Sequence, residues 1–223
     1  MPAKKDGDYR VVVYEDFVSQ YDIDGKKVNN LVMTVFWRDE AGILQHKYID
    51  NFCADRTIVV VKGKKKKHNR CDAYFVINAW ELHLGLKPDD GTSSGEFDGV
   101  THILRTGDSG PHFHCRKTMA FEAHVQTTHN IHWETHTLCK RHAYILCDAH
   151  GGQSKVAAAA AAIAGAAPMS ALDFANIINI CIANAKAYCI ENIDRKQRLP
   201  ERCSKLVWIQ RNLRNKNIRW KTI

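Results

Sequence analysis

Residues 9–52, YRVVVYEDFVSQYDIDGKKVNNLVMTVFWRDEAGILQHKYIDNF, decide the fold of this 223-residue chain. Three runs in this stretch are rich in β-branched and aromatic residues, at 9–14, 28–37 and 43–52. Such a composition is typical of β-strands. The runs are separated by two short segments, 22–25 and 39–42, each ending in a glycine that tolerates the positive φ of a tight turn. The stretch therefore predicts an antiparallel meander of three strands.

The chain after residue 70 alternates between helix and strand patterns. Residues 71–86 carry apolar side chains at helical spacing, which predicts an amphipathic helix. Residues 100–104 predict a fourth strand, and Phe113 begins a further helix. Residues 131–138 predict either another strand or a short helix.

The last part of the chain is predicted to be helical. Residues 154–167 are rich in alanine, the residue with the highest helix propensity. Ser170 can cap a final long helix that ends near Ile193. Three strands, a helix, a strand and then helices are the element order of the RNase H-like fold. We therefore expect an α/β domain over residues 1–194, with a mixed five-stranded sheet flanked by helices, and a basic helical extension over 195–223.

Three aspartates stand where predicted elements begin or end. Asp16 follows an apolar run, Asp108 follows the fourth strand, and Asp148 lies just ahead of the alanine-rich helix. Carboxylates placed in this way can converge on two Mg²⁺ or Mn²⁺ ions, which prefer hard oxygen ligands. Asp16 would bridge both ions, with Asp108 and Asp148 each completing one coordination shell, and His142 would position a phosphate or move a proton. Taken singly, each aspartate is more typical of a turn, loop or helix-capping acid.

Three motifs occur in order around these acids: YEDFVSQY at 14–21, GDSGPHFH at 107–114, and HAYILCDAHGGQSK at 142–155. They resemble motifs of transposases from eukaryotic DNA transposons related to the KDZ and Mutator-like groups. The resemblance covers about residues 9–160. It implies an RNase H-like catalytic domain that cuts DNA phosphodiester bonds with two divalent ions, with Lys155 contributing to nucleic-acid binding.

The chain departs from that family at two cations. His142-Ala143-Tyr144 replaces His-Gly-Lys, and His114 stands where the family has lysine. The third acid could also be a later glutamate, Glu191 or Glu201. The departures favour an alternative function, a catalytically inactive, domesticated nucleic-acid-binding protein of the same fold. The three retained acids favour a metal-dependent nuclease or transposase-like enzyme.

The charge of the chain favours a polyanionic partner. The formal net charge is +8 and the pI is about 9.1, and positive charge attracts phosphates whatever their sequence. DNA is the expected partner, with RNA as an alternative. The residues expected to contact phosphates are Lys64, Lys65, Lys66, Lys67, Lys155, Arg211 and Arg214. A solvated lysine loop and a basic helix docked on the core are the competing interpretations.

A cluster of histidines and cysteines between residues 112 and 150 offers a second metal hypothesis. The spacing His132-x₃-His136-x₂-Cys139-x₂-His142 contains ligands that suit a structural zinc ion. However, the chain has no Cys-x₂-Cys pair of the kind found in zinc fingers. Scattered surface and core histidines are the alternative interpretation.

The sequence gives weaker indications of location. No run reaches the roughly 18 apolar residues needed to span a bilayer, and the N-terminus lacks an apolar signal core. We expect an intracellular protein, nuclear if the host is eukaryotic, with cysteines as thiols rather than disulfides. Whether the chain forms a homo-oligomer is left open.

Overall fold

The computed structural model describes residues 9–23, 26–53, 58–61, 64–67, 71–86, 95–138, 146–190 and 193. The strands are β1 (Arg10–Ile23), β2 (Lys26–Arg38), β3 (Leu44–Cys53), β4 (Ile58–Val61), β5 (Lys64–Lys67), β6 (His102–Gly107), β7 (His132–Thr137) and β8 (Ala185–Ile190). The helices are α1 (Ala73–His83), α2 (Arg116–His129), α3 (Cys147–Ile163) and α4 (Ala171–Cys181).

Six strands form one mixed sheet in the order β7-β6-β1-β2-β3-β8. The pairs β1–β2 and β2–β3 are antiparallel, so the predicted meander is confirmed. The pairs β1–β6, β6–β7 and β3–β8 are parallel. Strands β4 and β5 form a separate antiparallel pair. The molecule is therefore a mixed α/β fold, as the sequence predicts in outline.

The sheet has a hydrophobic core on each face, because successive side chains of a strand point to opposite faces. Val11 and Val13 of β1 belong to the core that includes Trp80 of α1 and Phe121 of α2. Val18 of β1 belongs to the core formed with residues of α3 and α4. Fully burying one large apolar side chain in such a core contributes about 1.5–3 kcal/mol. The predicted arrangement of helices on both faces is confirmed.

A buried ionic network ties the centre of the sheet to the helices of one face. Arg105 of β6 donates from Nε to Glu15 Oε1 at 2.6 Å, and its guanidinium also contacts Glu122 of α2. Trp80 Nε1 donates to Glu15 Oε2 at 2.8 Å. Breaking such a buried network is costly because it leaves a charge without its partner. The network therefore fixes β1 against β6 at Glu15, the residue before Asp16, and at Arg105, three residues before Asp108.

Two predictions about the end of the chain are wrong. The final helix stops at Cys181, and residues 185–190 form strand β8, so the main sheet has six strands rather than five. Strand β8 pairs with the edge of β3, and Asn179 accepts a hydrogen bond from Ala187 N at 2.8 Å and donates one to Ala187 O at 3.0 Å. These partners are distant in sequence or lie on side chains, so local helix propensity does not reveal them.

The structure also bears on the predictions for other segments of the chain. Residues 132–137 adopt the strand of the two predicted alternatives. Lys64–Lys67 form strand β5 instead of a loop. The proposed basic extension, 195–223, lies outside the described residues. None of the described helices is both long enough and apolar enough to cross a membrane.

Candidate active site

Asp16 and Asp108 lie next to each other because β1 and β6 run parallel. In the register of this pair, Glu15 is opposite Gly107. Asp16 and Asp108 are the next residues on each chain, at the point where the pairing of β1 with β6 ends. The prediction that Asp16 lies at the end of its strand is wrong, since β1 continues to Ile23 and Asp16 itself pairs with Val32 of β2.

Asp148 approaches the same place from helix α3. The prediction that it precedes the helix is wrong, because α3 begins at Cys147 and Asp148 lies in its first turn. Cys147 Sγ lies 3.5 Å from Thr34 Oγ1 and 3.5 Å from Tyr14 O, so this turn rests on β1 and β2. A carboxylate in the first turn also interacts favourably with the positive end of the helix dipole.

The pKa of Asp16 depends on the charges of the other two acids. Its pKa is raised to about 7, first by burial and then by the negative charges of Asp108 and Asp148. Burial also raises the pKa of Asp148, and the Lys155 ammonium opposes that rise. Asp16 therefore holds its proton much closer to neutral pH than an ordinary aspartate does. The charges of Asp108 and Asp148 make ionisation of Asp16 costly, and a bound cation would relieve this repulsion.

The carboxylates of this site are suitable ligands for a hard divalent cation, but the described side chains are not arranged around a single metal position. Carboxylate oxygens are the ligands that Mg²⁺ and Mn²⁺ prefer. Within the described ranges, no group of three His, Cys, Asp or Glu side chains is already arranged to hold a metal ion. The acids therefore lie within electrostatic range of one another without meeting as ligands.

The same finding bears on the structural zinc hypothesis. His132 and His136 lie on strand β7, with their Nε2 atoms 3.0 Å and 3.9 Å from the Glu134 carboxylate. Their four-residue spacing therefore does not place them on one helical face. Cys139 and His142, the other members of that cluster, lie outside the described residues. The part of the chain that the structure describes contains no three-ligand group for zinc.

His112 places an imidazole at the site. Gly110 N donates to Asp108 Oδ1 at 2.5 Å, and His112 Nε2 lies 4.0 Å from the same oxygen. The ring of His112 packs edge-on against Phe17 at 4.9 Å, and burial lowers its pKa, which favours the neutral imidazole. A Cβ at Gly110 would lie 2.6 Å from Asp108 Oδ1. In the sequence, the Gly-Pro-His segment shortly after Asp108 was the feature that could have predicted this loop.

The docking of α3 was also missed. The predicted alanine-rich helix begins at residue 154, whereas α3 begins at Cys147 and includes both Gly151 and Gly152. Gly151 is buried, and next to it His150 Nε2 lies 2.6 Å from Asp50 Oδ2. A glycine inside an alanine-rich helix was the sequence feature that could have indicated this packing, because glycine weakens a helix and a close approach of another element is a common reason for it.

The residues expected to bind nucleic acid are only partly described. Lys155 is exposed on α3, with its ammonium 5.9 Å from the centre of the Tyr21 ring. The backbone of Lys64, Lys65, Lys66 and Lys67 pairs with β4. His142, Arg211 and Arg214 lie outside the described residues, as do the alternative third acids Glu191 and Glu201.

Comparisons of the chain with protein-family models, with curated proteins and with solved structures found no match. The resemblance of the three motifs to transposases therefore stays a prediction.

Proposed function

We propose that the chain is an RNase H-like, divalent-metal-dependent nuclease or transposase-like domain that cuts DNA phosphodiester bonds. The observation that carries this proposal is the convergence of three acids: Asp16 and Asp108 directly follow the paired residues of β1 and β6, and Asp148 lies in the first turn of α3, which rests on β1 and β2. These acids lie on β1, after β6 and on α3, so only the folded chain brings their charges together. The raised pKa of Asp16, caused first by burial and then by the charges of Asp108 and Asp148, supports the proposal, since perturbed pKa values are typical of functional sites.

The positions of the acids support the proposal further. In the RNase H-like order, the first acid lies on the first strand, the second at the end of the fourth strand, and the third comes from a later helix. Asp16 on β1, Asp108 after β6 and Asp148 on α3 agree with that order when the separate pair β4–β5 is set aside, because β6 is then the fourth strand along the chain. Strand β8 is an addition to the five strands expected from that order.

The roles of the residues follow from their surroundings. Asp16, Asp108 and Asp148 would hold two Mg²⁺ or Mn²⁺ ions, which supply charge stabilisation and an acidified water in phosphodiester hydrolysis. Asp16 must lose its proton to act as a ligand. His112 would present a neutral imidazole beside Asp108, where it can accept a hydrogen bond or a proton from substrate. Lys155 would contact phosphate on the exposed side of α3.

The proposal is tested by incubating the purified chain with labelled DNA in Mg²⁺ or Mn²⁺. Asp16→Asn, Asp108→Asn and Asp148→Asn should each reduce cleavage by about 100-fold or more, because substitutions even one shell away from a metal cost up to that much. Asp98→Asn, at an exposed turn residue, is the matched control and should retain full activity. Cleavage that survives Asp16→Asn would refute the assignment of the site.

The second candidate is a nucleic-acid-binding protein of the same fold without catalytic activity. It is favoured by one observation: the described carboxyls lie near one another but do not form a three-ligand group. In this case the chain would bind labelled DNA without cutting it in either metal. Asp16→Asn would then leave binding unchanged or strengthen it slightly, since it removes a negative charge that repels phosphate.

A further inference from the structure

Helix α3 approaches strand β1 unusually closely at one residue. A Cβ built on Gly151 would lie 2.9 Å from both Cβ and Cγ1 of Val18, closer than side chains normally pack. A Cβ on the neighbouring Gly152 would meet no atom within 4 Å. The two glycines are therefore different: only Gly151 is required for the helix to lie where it does.

A second contact holds the same turn of α3 from another direction. His150 Nε2 lies 2.6 Å from Asp50 Oδ2, and both side chains are fully buried. Asn30 Nδ2 donates to the other oxygen of Asp50 at 2.6 Å. The His150 ring also stacks on Tyr48, with 4.1 Å between ring centres and 6° between planes. Hydrogen bonds are directional and a buried pair is costly to break, so these contacts resist sliding or rotation of α3.

These contacts lie close to the acids along both chains. Val18 is two residues beyond Asp16, and alternate residues of a strand share a face. Gly151 is three residues beyond Asp148, which is nearly one helical turn. The distance between α3 and β1 at Gly151 and Val18 therefore also sets the distance between Asp148 and Asp16, which lie one helical turn and two strand residues earlier.

We infer that Gly151 and His150 are positioning residues: they dock the first turn of α3 on the sheet so that the Asp148 carboxyl lies beside Asp16. This inference rests on the proposed function, in which the two carboxyls share a cation. Neither residue needs to touch the cation or the substrate. Their effect is to set the separation of the two carboxyls before any ligand arrives.

The first test compares Gly151→Ala with Gly152→Ala in the full chain. Both changes raise helix propensity to the same extent, so helix stability does not distinguish them. Mn²⁺ binding without DNA is measured by electron paramagnetic resonance. Gly151→Ala should raise the Kd by about 10-fold, as substitutions that misplace a metal ligand do. Gly152→Ala should keep the wild-type Kd.

The His150 contact is tested by two substitutions. His150→Leu fills the volume but removes the group that hydrogen-bonds Asp50, and it should weaken Mn²⁺ binding by a similar factor. His150→Gln retains an N–H that can donate to Asp50, and it should restore part of the affinity. Equal Mn²⁺ affinity in the Leu variant and the wild type would refute the positioning role of His150.

A second readout separates this inference from the proposed function. The pKa of the Asp16 carboxyl is followed by NMR without metal in the wild type, Asp148→Asn, Gly151→Ala and Gly152→Ala. If Gly151 positions Asp148, Gly151→Ala should lower the Asp16 pKa in the same direction as Asp148→Asn, and Gly152→Ala should leave it unchanged. An Asp16 pKa that is the same in Gly151→Ala and wild type overturns the inference, whatever happens to metal binding.

Failure of the wild type to bind Mn²⁺ would count against the proposed function, and the Asp16 pKa would then decide the inference alone. If Gly151→Ala does not fold, Val18→Ile replaces it. That change extends Cγ1, one of the atoms nearest Gly151, from the strand side of the same contact. The same two readouts and the same refuting outcome apply to it.

Discussion

At the scale of single residues, the site depends on how neighbours change one carboxyl. Asp16 is flanked in sequence by Glu15, whose charge is neutralised by the buried Arg105. Among the described residues, Asp16 has no cationic partner comparable to Arg105. Its pKa rises to about 7, first because it is buried. Adjacent acids on one strand thus have different roles because they point to opposite faces of the sheet.

The raised pKa of Asp16 predicts a pH-dependent stability. The folded state holds this proton up to about pH 7, whereas an unfolded aspartate loses it near 3.9. The contribution of Asp16 to stability should therefore fall as the pH rises from about 4 to about 7. Urea unfolding across this range should show the decline, and Asp16→Asn should flatten it. A decline of equal size in the Asn variant would contradict the assignment.

The same proton should compete with metal. Below pH 7, the apparent affinity for Mn²⁺ should fall by about tenfold for each pH unit, because one proton must leave before Asp16 can bind. Above pH 7 the affinity should level off. Calorimetric titration between pH 5.5 and 8.5 measures this, and a pH-independent Kd would show that Asp16 is not a ligand.

At the scale of elements, sequence patterns predict the strands whose partners are neighbours along the chain. The β-rich runs and glycine turns of residues 9–52 predict β1, β2 and β3, whose antiparallel partners are neighbours in sequence. The motif acids on β1 and after β6 were also identified from sequence. Strand β8 was missed because its partner, β3, lies more than a hundred residues earlier.

The site details that were missed are also non-local. The closeness of Gly151 to Val18 and the pair His150–Asp50 depend on how α3 docks on the sheet. The loop that brings His112 to Asp108 depends on a backbone hydrogen bond from Gly110. Sequence patterns show that these residues are unusual, but the distances that give them a role exist only after folding.

Asn179 offers a test at this scale. It accepts a hydrogen bond from Ala187 N and donates one to Ala187 O, so it pairs with the two backbone groups of Ala187 that face away from β3. Asn179→Ala should lower the free energy of unfolding by about 1–2 kcal/mol, since each net hydrogen bond contributes about 1 kcal/mol. Asn176→Ala, at an exposed residue one turn earlier on α4, controls for helix propensity. Urea denaturation of both variants gives the difference, and equal stabilities would contradict the role of Asn179.

At the scale of the whole molecule, the net charge of +8 predicts a salt-dependent interaction with DNA. Each phosphate neutralised on duplex DNA contributes about −0.9 to the slope of log affinity against log salt. If all four lysines of β5 contact phosphates, replacing Lys64–Lys67 with threonine should make the slope less steep by up to about 3.6. Threonine suits the strand that these residues form.

The matched control replaces the same four lysines with arginine, which keeps the charge and should keep the slope. Fluorescence anisotropy at several salt concentrations measures both variants. An unchanged slope in the threonine variant would show that β5 does not contact DNA. The basic residues of 195–223, including Arg211 and Arg214, would then be the next to test.

The borders of the main sheet have a consequence for how the molecule behaves at high concentration. Of the described strands, β7 and β8 form its two edges, and an exposed edge can recruit a strand from another molecule and start aggregation. The outward side chains of β7 include His132, Glu134 and His136, and the outer backbone of Ala187 in β8 is already occupied by Asn179. Polar, short and partly occupied edges discourage such recruitment. The two edges of the main sheet should therefore resist pairing with strands of other copies, and Asn179→Ala should weaken that resistance at the β8 edge.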